Sequence, residues 1–135
     1  MTDTAETDTA ETVTAETVTA DRFTPSWIDV CPFNWLISGR GVCALVAGQQ
    51  VAIFRVDDEV FALSNFDPFS AAFVLSRGIV GSKGDRLKVA SPIYKQSFDL
   101  RTGESLDVPG VSVPVFGVRV VDGRVEVSHP SEGAE

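Results

Sequence analysis

Short apolar runs separated by turn residues dominate the chain between Trp27 and Ser128. The runs are four to seven residues long and rich in Val, Ile and Phe, and none continues as an amphipathic helix of ten residues. Between two of them stands Asp122-Gly123, a dipeptide that accepts positive φ at both central positions of a tight turn and so favours a β-hairpin. This spacing predicts an all-β fold, a small sandwich or barrel of short antiparallel strands.

The predicted strands lie at 27–31, 41–47, 50–56, 59–64, 86–91, 97–100, 117–121 and 124–128. Gly48-Gln49 is predicted to close the second hairpin, and residues 32–38 to form a turn or a single helical turn. Residues 69–84 are the least strand-like stretch. They predict a long connecting loop with a short strand at 78–80, and a loop of that length is often functional.

The first 24 residues differ in composition from the rest. They repeat TDTAE and TVTAE imperfectly, and residues 1–21 carry six acids and no base. Such a segment is too polar to offset the entropy of ordering it, so we predict a disordered acidic tail at 1–24. The predicted domain is then 25–128, followed by a C-terminal tail at 129–135.

Charge, hydropathy and cysteine content limit the function. Residues 22–128 carry eleven acids and eleven bases, which argues against binding nucleic acid. No apolar run approaches the length needed to cross a membrane, and the N-terminus lacks the pattern of a secretory signal. Cys31 and Cys43 stand in apolar strand-like runs and are expected to be buried, reduced thiols of a cytoplasmic protein.

Two segments carry the main motif. Residues 90–104, ASPIYKQSFDLRTGE, are similar to the C-P-x-H-x-x-x-F-D-x-x-x-G segment of Rieske ferredoxins, and residues 64–69, SNFDPF, stand where that family places C-x-H. The resemblance implies a Rieske-like fold with two apposed loops at one tip. It also maps the four iron-ligand positions onto Asn65, Asp67, Ser91 and Tyr94.

None of these four residues suits a Rieske cluster, which needs two thiolates and two neutral imidazoles. We therefore expect no 2Fe–2S cluster and no metal on this chain. A hard cation held by the four oxygen-bearing side chains is a minor alternative, because one carboxylate supplies little charge. The only histidine, His129, lies in the predicted tail, so no Ser–His or Cys–His nucleophile can be assembled. We expect no catalytic residue on the chain.

A closer resemblance is to the small-subunit family of assimilatory NADH-dependent nitrite reductases. It is carried by residues 65–70, 75–81, 89–96, 113–115 and 120–123, and it extends over about 27–127. The resemblance implies an accessory subunit without a redox centre. Its partner would be a large subunit that carries FAD, a 4Fe–4S cluster and siroheme, and that reduces nitrite to ammonium with electrons from NADH.

The loop tip is the expected contact surface for that partner. The predicted interface residues are Asn65, Phe66, Asp67, Phe69, Tyr94 and Lys95. Two alternatives remain open from the sequence. The two Phe rings could fill the space of a lost cluster while Asp67 and Tyr94 form hydrogen bonds with each other or with backbone. The domain could also be a free-standing interaction module for another oxidoreductase or a regulator.

Overall fold

Antiparallel strands and two single turns of 3₁₀ helix make up the protein over residues 26–129, the part that this computed structural model describes. The strands are β1 (Ser26–Pro32), β2 (Gly41–Val46), β3 (Gln49–Val56), β4 (Glu59–Ser64), β5 (Phe66–Asp67), β6 (Ala72–Phe73), β7 (Ile79–Lys83), β8 (Arg86–Ala90), β9 (Ser97–Asp99), β10 (Val115–Phe116), β11 (Val118–Val121) and β12 (Arg124–His129). The 3₁₀ turns are Phe33–Trp35 and Leu75–Arg77. The all-β prediction is confirmed.

A four-stranded sheet in the order β10-β4-β3-β2 forms the central layer. Because side chains alternate along a strand, Val51 and Ile53 of β3 enter one buried cluster while Ala52 and Phe54 enter another on the opposite face. Burial on both faces explains why β3 is apolar at successive positions instead of alternating with polar residues.

The two clusters connect the central sheet to the other layers. One face packs on the sheet β1-β12-β11, which contributes Cys31, Val125 and Val127. The other face packs on the sheet β7-β8-β9, which contributes Val89 and Phe98. Leu75, Leu100 and Val113 complete this second cluster. The sheet that contains β8 and β9 therefore packs on the central sheet, and β9 is part of the second motif segment, 90–104.

The hairpin prediction at Asp122-Gly123 is confirmed, with φ of +51° and +77° at the two positions. The prediction of Gly48-Gln49 as the other turn is wrong by one residue. Gln49 already pairs with Val46, and the turn is Ala47-Gly48, with φ of +49° and +83°.

The stretch predicted as a long loop contains more structure than expected. It holds β6, the second 3₁₀ turn and the five-residue strand β7, which pairs with β8 over its whole length. The pattern of β7 is hard to detect because its residues, IVGSK, include a glycine and none of them is fully buried. The two-residue strands β5, β6 and β10 were also not predicted, since two residues carry no periodicity.

The two cysteines differ in burial. Cys31 is buried, as expected, but Cys43 is exposed, which corrects the prediction for that residue. The reason is that β2 is the edge strand of its sheet, so its side chains have no neighbouring strand on one side. Both thiols are free.

The N-terminal repeat at 1–24 and most of the predicted C-terminal tail lie outside the described residues. Strand β12 continues through His129, one residue beyond the predicted end of the domain. Over residues 26–129, no helix is long and apolar enough to cross a membrane.

Candidate functional site

Asn65 follows the last residue of β4 and is 2% exposed. Its side-chain oxygen accepts a hydrogen bond from the N–H of Ser76 at 2.7 Å. Its amide nitrogen donates to the side-chain oxygen of Gln50 at 3.0 Å and to the sulfur of Cys43 at 3.5 Å. The amide thus joins the first loop to β2, to β3 and to the second 3₁₀ turn.

Asp67 is completely buried. One carboxylate oxygen accepts the N–H of Phe69 at 2.9 Å, and the other accepts the hydroxyls of Ser70 at 2.8 Å and Ser91 at 2.6 Å. Burial opposes ionisation of this group, but the hydrogen bonds from Ser91, Ser70 and the backbone outweigh it and lower the pKa of Asp67. The carboxylate is therefore charged at neutral pH.

Ser91 holds the second loop. Its hydroxyl donates to Asp67 and accepts from the N–H of Ile93 at 3.3 Å. Its backbone N–H donates to the carbonyl of Gln96 at 2.9 Å, and its carbonyl accepts from the N–H of Lys95 at 3.0 Å. These bonds close residues 91–96 into a tight turn, in which Lys95 adopts a φ of +63°. We call this segment the Tyr94 turn.

The F-D-x-x-x-G part of the motif has a structural role of its own. Asp99 is 4% exposed, and its carboxylate accepts hydrogen bonds from the N–H groups of Arg101 and Thr102 and from the side chain of Arg86. Gly103 adopts a φ of +78°, and a Cβ there would collide with the carbonyl oxygen of Val113. This part of the motif builds a turn and needs no cluster.

The four ligand positions do not fit a 2Fe–2S cluster. They supply an amide, a carboxylate, a hydroxyl and a phenol, where a Rieske centre needs two thiolates and two imidazoles. Two of these groups, on Asp67 and Ser91, are hydrogen-bonded to each other at 2.6 Å and so satisfy each other without a metal ion. Over residues 26–129, no group of three or more His, Cys, Asp or Glu side chains is placed to hold a metal ion.

The structure corrects the predicted exposure of two interface residues. Asn65 and Asp67 turn inward and make the hydrogen bonds described above, so their side chains are buried and not exposed. Their burial depends on hydrogen bonds to Gln50, 15 residues from Asn65, and to Ser91, 24 residues from Asp67.

Aromatic rings partly fill the tip. Phe69 is half-buried, and its ring centroid lies 5.9 Å from that of Phe98 in the core. Phe66 is half-buried too, and its ring lies 5.0 Å from that of Phe73, which pairs with it across β5 and β6. The alternative that the rings fill the space of a lost cluster agrees better with Phe69, which packs on the core. Phe66 contacts Phe73, which is 53% exposed.

Large exposed side chains stand on both loops of the tip. Tyr94 is 63% exposed, and Lys95 is also exposed. Sequence reasoning did not single out Phe73 and Ile93, which are 53% and 44% exposed. The signal that could have found Ile93 is its place between Pro92 and Tyr94 in the motif.

Comparisons with known proteins agree with this architecture. The Rieske-like 2Fe-2S domain family matches residues 26–128. The nitrite reductase (NADH) small subunit of Salmonella typhimurium is 46% identical over 103 residues, which cover 75% of this chain and 95% of that protein. The chain belongs to the nitrite reductase small-subunit family.

Two further relatives support the membership. The solution structure of NirD from Escherichia coli, 42% identical, superimposes with a TM-score of 0.74 and covers 80% of this chain and all of that one. A nitrite reductase [NAD(P)H] large subunit of Klebsiella oxytoca is 38% identical over 103 residues, which cover 76% of this chain but only 11% of that protein. A domain similar to this small-subunit family member is thus part of a longer large-subunit chain.

Proposed function

We propose that this chain is the accessory small subunit of an assimilatory NADH-dependent nitrite reductase, and that it works only in complex with the large subunit. The observation that carries the proposal is the 46% identity to the Salmonella typhimurium small subunit over nearly the whole of that protein. In this role it supports the reduction of nitrite to ammonium.

The Klebsiella oxytoca relative supports the choice of partner. There, a domain 38% identical to this one is part of the same polypeptide as a large subunit. A domain that is fused in one organism and separate in another is expected to contact the same partner in both. For this chain, the partner is a nitrite reductase large subunit.

The resemblance to the small-subunit family implies a division of labour. The large subunit would carry FAD, a 4Fe–4S cluster and siroheme, and would perform the redox chemistry. The small subunit would contribute no catalytic residue, and it would hold no cluster because its ligand positions are amide, carboxylate, hydroxyl and phenol groups. Its balanced charge over 22–128 is consistent with a protein partner and with neither nucleic acid nor a membrane. The two free thiols are consistent with the cytoplasm.

The surface that we propose for docking consists of the exposed and half-exposed side chains of the two loops. From here on, the loop tip means Phe66, Phe73, Ile93, Tyr94 and Lys95. Three of these side chains are large apolar groups that are 44–63% exposed, namely Phe73, Ile93 and Tyr94. Aromatic residues with a neighbouring cation are typical anchors of protein interfaces. Asn65 and Asp67, which were expected to belong to this surface, support it from inside, and Phe69 anchors it to the core.

A binding assay with the purified large subunit tests the proposal. We expect the wild-type chain to co-purify with the large subunit and to raise its nitrite-dependent oxidation of NADH. Tyr94→Ala should weaken binding about tenfold or more, as expected for an interface anchor. Val120→Ala is the matched control, since Val120 is 44% exposed on β11, in a different sheet.

Two results would contradict the proposal. If the wild-type chain neither binds the large subunit nor changes its activity, the assignment as a subunit fails. If binding occurs but Tyr94→Ala and Val120→Ala behave alike, the loop tip is not the docking surface.

A further inference from the structure

The 2Fe–2S cluster of a Rieske domain has two roles. It carries electrons, and it also joins two loops because residues of both loops bind it. The ligands at the first loop and those at the second hold one and the same cluster. Without these ligands, neither electron transfer by a cluster nor the joining of the loops through it is possible. The loops of this chain still lie side by side, so another interaction must join them.

We infer that the hydrogen bond between Asp67 and Ser91 has taken over the joining role and positions the Tyr94 turn for docking. The docking part of this inference rests on the proposed function, but the joining part does not. Asp67 stands at a histidine position of the first loop, and Ser91 at a cysteine position of the second. At 2.6 Å, their bond links two of the positions from which a cluster would be bound.

Each partner of this bond also organises its own loop. Asp67 accepts the N–H of Phe69 through its carboxylate and the N–H of Ala71 through its carbonyl oxygen, at 2.9 and 2.8 Å. Ser91 accepts the N–H of Ile93 and that of Lys95. The Asp67–Ser91 hydrogen bond therefore connects two separately hydrogen-bonded loops.

The chemistry of the pair suits this role. A hydroxyl that donates to a buried carboxylate forms a short, charge-assisted hydrogen bond, which is stronger than one between neutral groups. Both residues are almost completely buried, Asp67 at 0% and Ser91 at 1%, so water cannot easily replace either partner. Tyr94 itself is 63% exposed, and its ring is placed by the backbone of the turn more than by packing.

Ser91→Ala tests the inference in the full-length chain. Three quantities are measured: the dissociation constant for the large subunit, the midpoint of thermal unfolding, and hydrogen exchange at the amides of residue 91 and residues 93–96. We expect a variant that still folds, that exchanges at least tenfold faster in the Tyr94 turn, and that binds the large subunit at least tenfold more weakly. Ser91→Thr keeps the hydroxyl and should restore slow exchange and binding.

Asp99→Asn is the matched control. Asp99 is also a buried carboxylate that accepts backbone N–H groups two and three residues ahead, but it bonds to Arg86 and not to the other motif loop. We expect this variant to lower the unfolding temperature without a selective change in exchange or binding at the tip. If Ser91 contributed only to overall stability, Ser91→Ala and Asp99→Asn would show the same pattern of hydrogen exchange and binding.

The outcomes separate the two proposals. Slow exchange in the Tyr94 turn of folded Ser91→Ala would overturn the joining role. Fast exchange with unchanged binding would overturn the positioning role. If the wild-type chain does not bind the large subunit, the proposed function fails, while the exchange data still decide whether the pair joins the loops.

Discussion

At the scale of single residues, the ligand positions have changed from metal donors to hydrogen-bonding groups and an exposed phenol. The residue types alone were enough to exclude a 2Fe–2S cluster, because amide, carboxylate, hydroxyl and phenol groups cannot replace thiolates and imidazoles. They did not indicate which groups are buried. Asn65 and Asp67 turn inward because Gln50 and Ser91 offer partners, and those contacts are set by the fold and not by the neighbouring sequence.

The pH dependence of stability is a prediction at the same scale. The pKa of both Asp67 and Asp99 is lowered in the folded protein, because hydrogen bonds to the carboxylate outweigh the burial that opposes ionisation. A carboxyl whose pKa is lower in the folded than in the unfolded state stabilises the fold above its unfolded pKa, about 3.9 for Asp. This stability is lost as the pH falls from about 5 through that value toward the lower pKa of the folded state.

The free energy of unfolding in urea, measured from pH 7 to pH 3, checks this expectation. The wild-type curve should be nearly flat down to about pH 5 and then fall, because the unfolded chain binds more protons than the folded one. Asp67→Asn and Asp99→Asn should each be less stable at pH 7 and should each show a shallower fall. If the free energy of unfolding of both variants fell with pH as steeply as that of the wild type, other groups would cause the acid sensitivity.

At the scale of strands and turns, the predictable elements are those with a local signal. Strands β3 and β4 each contain four successive apolar residues, at 51–54 and 60–63, and Asp122-Gly123 defines the β11-β12 hairpin. The β2-β3 turn was misplaced by one residue because Gly48 is an obvious turn residue but its partner is the unremarkable Ala47. The register, in which Val46 faces Gln49, decides the position of the turn.

Ala47 provides a prediction for this turn. It adopts a φ of +49°, a region that costs an alanine roughly 1 kcal/mol, and its side chain is exposed. Asn tolerates this region better and is favoured before Gly in two-residue hairpins. Ala47→Asn should therefore raise the free energy of unfolding by about 0.5–1 kcal/mol.

Urea unfolding measures the change, and Gly48→Ala is the matched opposite. Gly48 has a φ of +83° and open space around it, so a methyl group there meets no neighbour but puts strain on the backbone. That variant should lose about 1 kcal/mol of stability. If Ala47→Asn is destabilising, the hairpin does not turn at Ala47-Gly48.

At the scale of the whole molecule, the buried hydrophobic residues explain how the tip keeps its structure without an iron–sulfur cluster. Phe98 and Val89 underlie the β8-β9 side of the tip, and Phe69 packs on Phe98. The loops therefore rest on a core that needs no metal, and the Asp67–Ser91 hydrogen bond joins their ends. The spacing of the short apolar runs predicted the all-β architecture, and the resemblance to Rieske ferredoxins implied the two apposed loops. The packing of these loops on the core could be seen only in the structure.

Metal independence follows as a prediction for the whole chain. Protein purified anaerobically from cells supplied with iron should contain substoichiometric iron and show no visible absorption bands, because its ligand positions offer neither thiolate nor imidazole. Its melting temperature should be unchanged after treatment with a strong chelator, whereas a metal that contributed to folding would make the two temperatures differ. A cluster-bearing Rieske ferredoxin, treated in parallel, should lose its absorption bands and melt at a lower temperature.

Stoichiometric iron in this chain, together with a lower melting temperature after chelation, would contradict both the exclusion of the cluster and the joining role of the Asp67–Ser91 pair. Iron without any effect on melting would contradict only the exclusion, since the hydrogen bond could still join the loops.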